Sequence, residues 1–170
     1  MAHEDWLRTL AEVAVVLAGF SGLLAGIRQR SQRESQINVT RLKTIVETSL
    51  SVLAFCLIPV FLNGLGVGEL GAFRISAIVF LAGFIPFTVM GFRRFRLATG
   101  TSVIQETGPL GGATYLVSAA ALVAGVACAA GIPTSAVPTL YLIALTCTLA
   151  IGALNFLGFA IGYSNFEPNG

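Results

Sequence analysis

LRTLAEVAVVLAGFSGLLAGI, from Leu7 to Ile27, is a run of 21 residues with one basic and one acidic side chain, Arg8 and Glu12, and no proline. At 1.5 Å per residue a helix of that length covers about 30 Å, the thickness of a bilayer's hydrocarbon core. Four more apolar runs follow, from about Thr44 to Leu65, Ala72 to Phe92, Ala113 to Ile132 and Pro138 to Tyr163. Each is continuous and far longer than the roughly 9–11 residues of a barrel strand, so helices are expected throughout. The whole 170-residue chain agrees: 55% of it is hydrophobic and 11% charged, against about 25% charged in soluble domains. The expected fold is an all-α polytopic membrane protein, a single transmembrane domain over residues 1–170 with five spans.

Eight of the ten basic residues fall in two connections. Arg28, Arg30, Arg33, Arg41 and Lys43 lie between runs one and two, and Arg93, Arg94 and Arg96 follow run three. The positive-inside rule places both connections in the cytoplasm. Five spans then put the N-terminus outside and the C-terminus inside. Trp6 and Tyr141 fall at the expected outer ends of spans one and five, and Tyr115 and Tyr163 at the inner ends of spans four and five, where amphipathic rings favour the interface. The polar stretch from Arg28 to Gln36 holds no Gly or Pro, so span one is expected to run on as a helix, with Asn38 or Thr40 capping span two. Pro59 and Pro86 lie within spans two and three and predict local openings of the backbone ladder.

The same inventory sets other classes aside. A net charge of +2 without a basic stripe argues against a nucleic-acid partner. Cys56, Cys128 and Cys147 sit in apolar runs with no CxxC spacing and read as small buried hydrophobes. His3, the one histidine, is read as a mobile N-terminal residue, which leaves no histidine pair for haem. No nucleophile with its base, phosphate-cradling loop or metal cluster can be assembled, so no enzyme, cofactor or metal is expected.

An ionisable side chain at the bilayer centre costs about 2.5–3.5 kcal/mol on insertion scales, so each one within a span is a site hypothesis. Only Glu12 and Glu47 qualify among the acids. Glu12 is read about one turn inside the outer boundary of span one, and Glu47 about one turn inside the inner boundary of span two, near opposite membrane faces. Arg8 precedes Glu12 and Lys43 precedes Glu47 by four residues, the spacing of a simple helical ion pair.

At about 100° per residue, Val16, Gly19, Leu23, Gly26 and Arg30 all fall within about 40° of Glu12. This stripe runs from an acid through an apolar section to a base. With copies of span one around an axis, Glu12 would form a cation-attracting ring, Val16 and Leu23 a constriction, and Arg28 or Arg30 the cytoplasmic mouth. The layout is similar to that of the pore helix of store-operated calcium channels, in the opposite chain direction. The plainer reading is close helix packing through Ala18, Gly22, Ala25 and Gly26. A second polar group, Glu47 with Thr148 and Asn155, could line a path, although hydroxyls and amides in spans usually bond their own helix or join helices.

Ala11-Glu12-Val13, Leu17 to Leu23 and Arg28 together resemble the first span of a group of small bacterial inner-membrane proteins without assigned activity. The resemblance covers about 20 residues and implies a bacterial cytoplasmic membrane. A Glu in the first span is also similar to small multidrug-resistance transporters, from which this chain departs in having five spans. The expectation is a homo-oligomeric membrane protein in the lipid bilayer, with an ion-conducting pore lined by span one. The alternatives are a proton-coupled small-solute transporter using Glu12 or Glu47, and a non-transporting accessory or structural subunit.

Overall fold

A computed structural model describes residues 2–28, 36–99 and 109–164. These form five long helices: α1 (Ala2–Arg28), α2 (Gln36–Gly64), α3 (Glu69–Thr99), α4 (Pro109–Ala130) and α5 (Val137–Ser164). A short 3-10 turn, Thr134–Ala136, precedes α5, and the described residues contain no strand. All five helices contain a stretch long and apolar enough to cross a membrane, as a multi-pass membrane protein requires.

The helices overrun the apolar runs. α1 begins at Ala2, five residues before Leu7, and α3 continues past Phe92 through Arg93, Arg94 and Arg96. α2 begins at Gln36, so Asn38 and Thr40 lie inside it and do not cap it. Hydropathy marks where oil would end, whereas helical hydrogen bonding propagates through polar residues that carry no Pro or Gly. Whether the polar stretch before Gln36 continues α1 lies outside the described residues.

α2 packs against α1, α3 and α5, and α5 closes the bundle against α4. On α3, Phe73, Ala77, Phe80 and Phe84 recur at helical spacing and are all buried. Phe80 stacks on Phe84 at 5.0 Å and meets Phe55 of α2 edge-on at 5.3 Å. Small residues on α4, Ala121, Ala124 and Cys128, face this aromatic ridge within one core. At the other end of α3, Phe92 stacks on Tyr115 of α4 at 4.4 Å.

Tyr141 is the clearest departure from the sequence reading. It is 0% exposed, not an interfacial ring, and its hydroxyl donates to the Phe55 carbonyl at 2.8 Å. The reason lies four residues along α2. Pro59 has no N–H to give Phe55, and the Tyr141 hydroxyl supplies the missing donor. Burial in a water-free bundle makes that substitution valuable, because an orphaned carbonyl there has no solvent to turn to.

Two tight turns hold the end of the bundle where α2 and α4 finish. After α2, Val67 N–H reaches the Leu62 carbonyl and Gly66 N–H the Asn63 carbonyl, with Gly66 at φ 84°. After α4, Ile132 bonds back to Ala127 and Gly131 to Cys128, with Gly131 at φ 73°. Both are Schellman closures, which place a left-handed residue directly after the helix. Arg74 of α3 adds its Nε to the Ala129 carbonyl at 3.3 Å. A cation at a helix C-terminus is favoured by the dipole, which gives this basic residue a role at the end away from the basic clusters.

Candidate functional site

The level of Glu12 within the bundle follows from two places where α1 meets its neighbours. His3 and Glu4 of α1 share a cleft with Asn63 of α2 and Glu69 of α3. Lower down, a Cβ placed on Gly152 of α5 would meet both Leu17 of α1, at 3.3 Å, and Thr48 of α2, at 2.8 Å. α1 and α2 therefore run antiparallel, with His3 beside Asn63 and Leu17 beside Thr48. Interpolating between these points sets Glu12 beside Leu53, the centre of the α2 stretch Leu42–Gly64. Nine residues along α1 from His3 is about 14 Å.

α1 starts at Ala2, five residues before the apolar run, so Glu12 stands ten residues from the start of its helix. Its partner is Arg8, whose Nε lies 3.1 Å from Oε1; the two side chains are 82% and 66% exposed. Around α1, the buried residues are Leu7, Ala14 and Ser21. At about 100° per residue these centre about 200° from Glu12, so the Glu12 stripe points directly away from the bundle. Val16 and Leu23 on that stripe are each 66% exposed. Gly19 and Gly22 are open notches, since a Cβ at either meets no neighbouring atom within 4 Å. Phe20, on one flank, meets Phe156 of α5 edge-on at 6.2 Å.

Among the described residues nothing packs on Gly22, and Ala18 is half-buried. The side chains of Ala25, Gly26 and Arg28, and Arg30 altogether, lie outside the described residues. Glu47 is half-buried on α2 with Lys43 Nζ 3.8 Å away. It lies about six residues, or about 9 Å along the axis, from the level of Glu12. Thr148 and Asn155 flank Gly152 on one face of α5, at the seam where Gly152 lets α5 approach Thr48. Each bonds back to its own helix: the Thr148 hydroxyl donates to the Ala144 carbonyl and the Asn155 amide to the Ile151 carbonyl, each at 2.8 Å.

Two groups escaped the sequence reading. Ser49, beside Thr48, is buried and its hydroxyl has no protein partner. The usual acceptor for it, the Ile45 carbonyl, already takes the Thr48 hydroxyl at 3.0 Å. The other is His3, which lies against Phe73 of α3 with ring centroids 6.2 Å apart and an edge-on geometry. It forms a wall of the end cleft, about 140 Å³, whose lining contains Glu4, Asn63 and Glu69 and no Lys or Arg. Glu4 and Glu69 also stand in the first turns of α1 and α3, where a carboxylate stabilises the helix start. Nothing in the local sequence announces the cleft, since it joins residues 60 positions apart through antiparallel packing. Among the described residues no three His, Cys, Asp or Glu side chains converge as metal ligands do.

Comparison with protein-family models, with curated proteins and with solved structures returns no match.

Proposed function

We propose that this chain is a subunit of a homo-oligomeric ion-conducting pore of a bacterial cytoplasmic membrane, with the Glu12 face of α1 turned toward the shared axis. One observation carries the reading: a carboxylate and its guanidinium partner stand within an apolar, span-length stretch of α1, on the side that the described residues leave uncovered. Facing lipid there, each charge would cost about 2.5–3.5 kcal/mol on insertion scales, less whatever their pairing returns. Facing a water-filled axis built from several copies, the pair keeps its solvation and the cost disappears. Val16 and Leu23 on the same stripe then supply an apolar constriction below the charged ring. The crowding of basic residues beyond the Lys43 end favours that end as cytoplasmic.

A proton-coupled transporter working through one copy draws less support. Thr148 and Asn155, which would line its path beside Glu47, each donate a hydrogen bond back to their own helix. The test is flux from liposomes containing the purified protein, with wild type and Glu12→Gln compared. Wild type is expected to pass small cations, and the variant to shift cation over anion selectivity severalfold. Wild-type liposomes no leakier than empty ones, or a variant with unchanged selectivity, would remove the pore lined by Glu12.

A further inference from the structure

Pro86 stands within α3 as Pro59 stands within α2, and it removes the same donor: the carbonyl four residues earlier, that of Ala82, receives no N–H from position 86. Phe55 has Tyr141 to replace the lost donor, whereas among the described residues no side chain donates to Ala82. At about 100° per residue, Ala82 lies about 180° from the buried ridge of Phe73, Phe80 and Phe84, so it stands on the crest of the uncovered face of α3. Ala82 and Pro86 are exposed there, between Ile78, Ile85 and Val89, which are 57%, 49% and 51% exposed. A helix carbonyl without its donor is costly in such an apolar stretch, because hydrocarbon cannot supply one.

A donor of this chain stands at the same level. α1 and α3 both run antiparallel to α2, hence parallel to each other, and His3 lies against Phe73. The same offset sets Arg8 level with Ile78 and Glu12 level with Ala82. A second route agrees: α2 places Asn63 beside Ala72 and Phe55 beside Phe80, so Leu53, the level of Glu12, also falls beside Ala82. Copies related by a rotation axis along the bundle keep every residue at its own level, so the Arg8–Glu12 pair of one copy and Ala82 of the next can meet without axial shift. Arg8 gives Nε to Glu12, which draws the guanidinium toward that level and leaves its Nη groups to donate. Arg8, Val15 and Gly19 share one flank of Glu12, and the open notch at Gly19 is level with Val89.

We propose that the Arg8 flank of α1 in one copy packs on the Pro86 face of α3 in the next, with an Arg8 Nη donating to the Ala82 carbonyl. The occupant is a second copy because the donor that this carbonyl lacks is one the chain itself holds exposed at that level. The inference rests on the homo-oligomeric reading and adds its interface. The two faces differ, so the contact is head-to-tail and repeats into a closed ring, with Glu12 beside each seam.

The test places the photo-reactive residue benzoylphenylalanine at position 78 or 85 of the full chain in liposomes, with position 123 of α4, where Val123 is 70% exposed, as the control. Irradiation is expected to give covalent dimers from both α3 positions, linked to α1 of the other copy when mapped by mass spectrometry, and only lipid adducts from position 123. Dimers linked to another helix would overturn this interface and leave a homo-oligomer standing. Lipid adducts alone from all three positions would overturn interface and oligomer together. The bond itself is read from energy transfer between labelled copies as the liposomes are diluted with lipid. Arg8→Gln should weaken association about three- to tenfold, the range from an average interhelical bond to a charge-assisted one. Pro86→Ala returns an N–H to Ala82, so Arg8→Gln in that background should weaken association less than about twofold. Equal losses in both backgrounds would show that Arg8 acts through Glu12 alone and overturn its bond to Ala82.

Discussion

Tyr141→Phe removes one oxygen from a buried ring and leaves the Phe55 carbonyl with no donor, since Pro59 cannot return one from its own helix. Side-chain hydrogen bonds between membrane helices average only about 0.6 kcal/mol, because separated helices find other partners. Here that escape is closed, as α2 on its own still lacks the N–H at position 59. The cost should therefore approach the roughly 1–3 kcal/mol of a buried polar group left unsatisfied, and we expect about 1–2 kcal/mol. Reversible unfolding in mixed micelles with increasing dodecyl sulfate measures it, by the shift in midpoint at constant slope. The decisive control is the same substitution in a Pro59→Ala background. Alanine restores an N–H to Phe55, so Tyr141→Phe should then cost about 1 kcal/mol less than in the wild-type chain. An equal penalty in both backgrounds would show that Tyr141 acts by packing alone and refute the link to Pro59.

Gly152→Ala should destabilise the bundle by about 1–3 kcal/mol, because its Cβ would stand 2.8 Å from Thr48 Oγ1. Thr48→Ala in the same chain should recover part of that loss, which the same unfolding assay reads. Gly22→Ala meets open space, so unfolding of the isolated chain should be unchanged or improved by up to about 1 kcal/mol from helix propensity. If α1 faces pack between copies, that variant should instead shift the oligomer distribution in light scattering. A change in both readouts to the same extent would mean that Gly22 serves the fold of a single copy.

The five spans were legible because each is a long run whose hydrophobic content exceeds what any soluble helix needs. The i,i+4 pairs Arg8–Glu12 and Lys43–Glu47 were legible for the same local reason, and both form. Helix ends were not, since α1, α2 and α3 continue into polar residues that a hydropathy count leaves out. Tyr141 misled because an aromatic with a hydroxyl suits an interface and a buried carbonyl equally well. Only the neighbouring helix, with its proline, chooses between them. His3 reads as a mobile terminal residue from its position in the chain, yet it stands against Phe73, 70 residues away.

Local sequence therefore determined the helices, their apolar character and the stripe of α1 that carries Glu12, because those depend on residue type and on a period of 3.6. Tertiary structure decided which way that stripe points and which level of α2 Glu12 faces. Both depend on the register of α1 against α2, α3 and α5, fixed where Gly152 admits Leu17 and Thr48 and where His3 meets Phe73. Register is a property of contacts between distant residues, and a periodic pattern that is the same at every turn cannot encode it.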